Sequence, residues 1–172
     1  SQTFVVTASN YYRIASLTTN GTPVDIALDN NSTSVNFLWS NIQADGALVV
    51  TFTNQVADSG TRYEWLASYG LTNGGATFDQ AAADDTDMDG LKAWQEYVAG
   101  TVPTDSASTL DVVENPRNVL NWNTVSGRVY EVYWSTNLLS GLQGLASNAV
   151  PPYTNESPDA QANFYQIKVR RQ

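Results

Sequence analysis

The stretch Tyr12-Arg13-Ile14-Ala15-Ser16-Leu17-Thr18-Thr19-Asn20-Gly21-Thr22-Pro23-Val24-Asp25-Ile26-Ala27-Leu28 sets two extended runs on either side of Asn20-Gly21. An Asn-Gly pair tolerates the positive φ that a two-residue hairpin turn demands. The spacing predicts strands over 12–17 and 24–28. Pro23 stands at the head of the second, where a missing N–H does least harm.

Working outward, the same pattern continues on both sides. Upstream, residues 3–8 alternate, with Phe4, Val6 and Ala8 on one face and Val5 and Thr7 on the other. Downstream, Asp29-Asn30-Asn31-Ser32 reads as a turn, and residues 34–39 and 47–53 read as further strands. About five strands at regular spacing over residues 1–57 predict a β-sandwich.

Between 58 and 107 the period changes to helical. Thr61 followed by Glu64 has the pattern of a capping box, and Tyr63, Trp65, Leu66 and Tyr69 recur on one face before Gly70. Residues 78–83 and 91–99 read as two more helices, the last carrying Leu91, Trp94, Tyr97 and Val98 and stopping at Gly100. From 108 to 172 strands return, over 110–113, 119–122, 129–134 and 164–169, with a loop-like stretch over 138–158. The expected fold is therefore mainly β with a small helical insert: an N-terminal β-sandwich, a helical middle and a small C-terminal β-domain.

Composition narrows the function classes. The chain has 172 residues, no histidine and no cysteine, which excludes Ser-His-Asp and Cys-His catalysis, structural zinc sites of those ligands and any disulfide framework. A net charge of −9 with only 8 Lys and Arg argues against a nucleic-acid partner. No apolar run approaches the roughly 20 residues of a membrane-spanning helix. Ser1 reads as a mature end, and the balance of Asn, Thr, Ser and Gly over Lys suits an extracellular or cell-surface location.

The chemistry concentrates in Asp85-Thr86-Asp87-Met88-Asp89-Gly90-Leu91-Lys92-Ala93-Trp94-Gln95-Glu96, a full match to D-x-D-x-D-G-x5-E. A Ca2+ ion takes roughly six to eight oxygens, and alternate loop residues can aim theirs at one centre. The expected ligands are the carboxylates of Asp85, Asp87 and Asp89, the carbonyl of Leu91 and a bidentate Glu96, with a water opposite Ala93. Asp79 and Asp84 extend the acidic cluster and Lys92 alone opposes it, so a cation is expected to relieve its self-repulsion.

This loop, with Trp65-Leu66-Ala67-Ser68-Tyr69-Gly70-Leu71 before it and Tyr97-Val98-Ala99-Gly100-Thr101 after it, resembles a module of secreted bacterial proteins. Its calcium loop is similar to those of dockerins and thrombospondin type 3 repeats. Val102-Pro103 stands where that module usually has Asp-Pro. The strands around Tyr130-Glu131-Val132-Tyr133-Trp134 and Phe164-Tyr165-Gln166-Ile167 resemble the small β-domain that often follows. The whole arrangement is similar to protomers of extracellular helical filaments built by donor-strand complementation. That resemblance implies a non-enzymatic, pilus-like subunit whose partner is itself. The segment Phe4-Val5-Val6-Thr7-Ala8 would be the assembly strand, with Asn10 as its hinge.

Two other readings compete. Five tryptophans and nine tyrosines could stack on glycans in a carbohydrate-binding or adhesive module, although Trp39, Trp65, Trp94, Trp122 and Trp134 sit at positions that suit a core. A glycosidase needs no histidine, but Asp25, Asp45, Asp58, Asp111 and Glu131 are scattered and read as solvated positions. Sequons at Asn20, Asn30, Asn31 and Asn155 are candidate glycan sites.

Overall fold

Alternating, sparsely charged sequence over residues 2–54 folds as two antiparallel sheets. The computed structural model describes residues 1–159 and 163–172. Among the described residues the fold is mainly β with a small helical insert: eleven strands in four small sheets, and three short helices. The chain divides into two units, Ser1–Asp84 and Asp85–Gln172.

In the first unit β1 (Gln2–Thr7) pairs with β4 (Ser34–Trp39), with Phe4 opposite Phe37 and Val6 opposite Val35. Alternation decides the faces. Phe4, Val6, Val35, Phe37 and Trp39 are half-buried, while Val5 is 69% exposed and Leu38 is also exposed. The second sheet runs in the order β3 (Thr22–Pro23), β2 (Tyr12–Thr19), β5 (Leu48–Asn54), and β2 buries Ile14 and Leu17. Asn20 and Gly21 both take the left-handed φ that their hairpin turn requires.

The second arm of that hairpin is shorter than its sequence suggests. Beyond β3 only Val24 keeps a ladder bond, donating its N–H to the Leu17 carbonyl, and residues 25–28 form no strand. On its other edge β2 pairs with β5 and carries a bulge between Ile14 and Ser16, while Ile14 donates its N–H to the Ser32 carbonyl.

The helices α1 (Tyr63–Ser68) and α2 (Phe78–Ala83) are joined by a ring stack of Tyr63 on Phe78, centroids 3.9 Å apart, with Tyr11 meeting Phe78 edge-on. The capping box expected at Thr61 and Glu64 does not form. Thr61 is fully buried in a bridged turn, its carbonyl accepting from Ala57 N and its hydroxyl paired with Ser59, and Arg62 is the N-cap. A capping box forms instead at α2, where Thr77 and Gln80 satisfy each other's backbone N–H groups.

The second unit opens with the acidic loop and α3 (Ala93–Ala99), which starts two residues later than its periodicity suggests. Six strands follow: β6 (Val112–Glu114), β7 (Val119–Trp122), β8 (Arg128–Ser135), β9 (Gln143–Ala146), β10 (Tyr153–Thr154) and β11 (Phe164–Arg171). They form the sheets β10-β7-β6 and β11-β8-β9. One core draws on both sheets, with Leu120 and Trp122 from β7, Tyr130 and Val132 from β8, and Ala149 between them in sequence from β9 to β10. The helical segment expected over 58–107 is thus shared out, α1 and α2 in one unit and α3 in the other.

Two expectations need correction here. The stretch 138–158, expected as loop, contains β9, β10 and a single 3₁₀ turn at Leu138–Ser140; its Gly and Pro residues conceal strands too short to show a period. Of the five tryptophans only Trp122 is fully buried; Trp39, Trp65 and Trp134 are half-buried and Trp94 is 37% exposed. A bulky indole rarely loses all its surface in units this small.

Around β10, Asn155 is buried. Its amide nitrogen donates to the Tyr165 hydroxyl at 3.0 Å, its Oδ1 accepts from Ser157 N, and Tyr165 donates onward to Asn118 Oδ1. These bonds tie β10 to β11 by polar groups rather than by a ladder.

Core position predicts the mutational response. Leu120→Ala should lower unfolding stability by about 2–5 kcal/mol, because the cavity cannot collapse between two sheets. Leu139→Ala, at a 96% exposed position, should change it by less than about 0.5 kcal/mol. Urea unfolding followed by tryptophan fluorescence distinguishes the two.

Candidate metal centre

The acidic loop alternates as a strand does, although it is not one. Asp85, Asp87 and Asp89 are half-buried, whereas Thr86, Met88 and Gly90 face solvent. Met88 and Gly90 take φ of 62° and 97°, so the backbone reverses twice and keeps the three acids on the inside.

Each aspartate uses one oxygen to build the loop. Gly90 N donates to Asp85 Oδ2 at 3.0 Å, Asp89 N to Asp87 Oδ1 at 3.3 Å, and Leu91 N to Asp89 Oδ1 at 2.7 Å. The other oxygens, Asp85 Oδ1, Asp87 Oδ2 and Asp89 Oδ2, are buried without a hydrogen-bond partner. The three residues offer oxygens within 4.8 Å of one another.

Glu96 is not one of that close set, but it belongs to the same electrostatic group. It is fully buried on α3, its Oε1 accepts from the Thr101 hydroxyl at 3.3 Å, and its Oε2 has no partner. Burial, reinforced by the charges of Asp87, Asp89 and Asp85, pushes its carboxyl up to about 7. Four carboxylate oxygens are therefore withdrawn from water with nothing to bond. That cost is what a hard divalent cation would remove, since it accepts anionic oxygen donors without needing a fixed geometry in the case of calcium.

The helix behind the loop is held firmly. Lys92 N donates to Gln95 Oε1 at its start. At its end Gly100 takes φ 86° and donates to the Glu96 carbonyl, and a Cβ there would stand 2.7 Å from Val125 Cγ1. Arg128 donates to the carbonyls of Val98 and Tyr97, and the Arg171 guanidinium lies 4.0 Å over the Tyr97 ring. Tyr97 is buried as its helical position implies; Trp94 turns outward.

The structure brings Asp85, Asp87 and Asp89 together, and Glu96 lies in the same unit with its charge felt by theirs. Ala93 is fully buried and offers no side-chain oxygen, so water is the expected ligand at that position. Asp79, in the first unit, accepts from Asp58 N, and Asp84 is an exposed C-cap of α2. Thr101 and the Arg128 clamp were not legible as site residues. Thr101 carries no ligand pattern, and Arg128 reaches its carbonyls across 30 residues of chain. Of the sequons, Asn155 and Asn30 have their amides engaged, Asn20 accepts from Ala47 N, and Asn31 is exposed. Compared with family models, with curated proteins and with solved structures, the chain matches none.

Glu96 makes pH a probe of this centre. Its folded value lies above its unfolded one, so without metal its contribution to stability is full below about 4.5 and is lost as pH rises through about 7. Melting in chelator should therefore fall across that window, and Glu96→Gln should flatten the fall. Saturating calcium should reverse the trend, because the ion needs the carboxylate ionised, and should add about 2.7 kcal/mol at a hundred times its Kd. Equal melting curves with chelator and with calcium at pH 8 would count against a metal at this loop.

Proposed function

We propose that the chain is a structural subunit of an extracellular, calcium-stabilised filament, joined head to tail by its N-terminal β-strand. In this reading it is not an enzyme, its partner is another copy of itself, and calcium serves to hold α3 against its own unit. The unpartnered oxygens of Asp85, Asp87, Asp89 and Glu96 support the calcium part. Their burial beside a clamped helix favours a structural ion over a catalytic one.

The observation that carries the assembly part is the two-stranded sheet of β1 and β4. A pair of strands standing alone is marginal in water, and among the described residues each has a second edge with which no other strand pairs. Phe4 and Val6 supply an apolar face, while Val5 supplies an exposed apolar spot on the other. Such a segment suits strand addition, where main-chain bonds give affinity and alternate side chains give register. A repeated contact of this type that does not close builds a filament.

The competing reading is a carbohydrate-binding or adhesive module. The half-buried Trp39 and Trp65 and the exposed Trp94 belong to three different elements, which does not favour a single stacking platform.

Light scattering of the full chain and of a form lacking residues 1–9, both in calcium, tests the proposal. Large polymers are expected from the first and small particles from the second. Monodisperse monomer from both would overturn it and leave glycan binding as the leading reading.

A further inference from the structure

We infer that the seat which accepts a neighbour's N-terminal strand is β4, the strand that β1 occupies in its own chain, in the same antiparallel register from Gln2 opposite Trp39 to Thr7 opposite Ser34. The inference rests on the filament reading and names the acceptor that the reading leaves open.

Three observations converge on this seat. The complementarity already exists: Phe4 against Phe37 and Val6 against Val35 make the half-buried face, and the ladder runs on through Ala8 N donating to the Thr33 carbonyl. A strand from a second copy would make the same bonds and bury the same side chains, so exchange costs no contact of the sheet. The charge pattern agrees. In a chain of net charge −9, residues 1–10 and 30–44 contain no Asp, Glu, Lys or Arg, so two copies can approach here without side-chain repulsion.

The hinge is the third. Residues 8–11 connect β1 to β2 through a turn closed by Tyr12 N donating to the Ser9 carbonyl. Tyr11 is held there at φ 65°, a left-handed backbone that an aromatic residue adopts only under constraint. The constraint is visible: the Tyr11 carbonyl accepts from Gln55 N, and its ring packs on Phe78. Short hinge loops under strain favour the exchange of an element between copies, since opening the turn releases the strain. Ser9 and Asn10 are both exposed and can extend. Each copy that gives β1 leaves its own β4 open for the next, which is the repeating step a filament needs.

The register supplies a test. Ala8 and Thr33 form a hydrogen-bonded pair, so Val5 and Asn36, three ladder positions away, form a non-hydrogen-bonded pair. In such pairs the Cα atoms stand about 4.5 Å apart, within disulfide reach. Both side chains face solvent and the chain has no cysteine, so Val5→Cys with Asn36→Cys in one full-length chain introduces the two thiols alone, without disturbing a core. The variant is refolded in calcium, oxidised and run on a denaturing gel, with light scattering beforehand.

A covalent ladder of dimers, trimers and higher species is expected, with most thiols consumed. A covalent dimer and nothing larger would support β4 as the seat while overturning the open filament. Polymers by scattering that run as internally bridged monomer on the gel would overturn β4 as the seat and leave the filament reading standing. Monomer by both measurements would overturn both.

Discussion

Mutual repulsion among Asp85, Asp87, Asp89 and Glu96 is the constraint around which the second unit is organised. A folded chain does not ordinarily leave four carboxylate oxygens buried and unpartnered, because desolvation and like charge act in the same direction. Here the loop backbone satisfies one oxygen of each aspartate and leaves the other free. The helix that carries Glu96 is then fastened at its far end by Arg128 and Arg171. The arrangement concentrates an unfavourable energy at one point and prevents it from dispersing by movement of the helix. Calcium, in our proposal, is the species that relieves it.

The first unit meets a different constraint. Its strands carry a single charged side chain, Arg13, and its two sheets contain two and three strands. Small sheets have a high proportion of edge, and edges are where unsatisfied backbone groups collect. Ile14 N finds Ser32, and Ala47 N finds the Asn20 side chain, so polar groups from turns substitute for missing ladder partners. On the outer edges of β1 and β4 such substitutes are scarce among the described residues, Gln2 Nε2 donating to the Thr3 carbonyl being one, and the proposed assembly draws on this property.

Much of this could be read from residues alone, and the boundary between what could and could not is physical. Alternation in residues 34–39 and 119–122 marked strands to the residue, because a face half in water forces period two. The acidic loop was legible because five positions in twelve must each satisfy a spacing. The Thr61 capping box misled, since a local pattern cannot reveal that Val56 bridges Arg62 and draws Thr61 inward. The strands β9 and β10 were hidden because each is defined by its partner across the sheet rather than by its own period. Arg128 was invisible for the same reason: its role depends on a helix end that arrives from far along the chain.

The buried Asn155 carries a consequence for biogenesis. A sequon is read by a glycosylating enzyme as an extended, accessible triplet, but here Asn155-Glu156-Ser157 is folded back on itself by the bond from Ser157 N. Its amide nitrogen, the atom that would carry the sugar, already donates to Tyr165 beneath the surface. Any host machinery would have to act on the nascent chain before β10 and β11 come together. A sugar attached at that stage would compete with the Asn155 to Tyr165 bond, so modification and completion of this unit would be mutually exclusive outcomes of a race during folding.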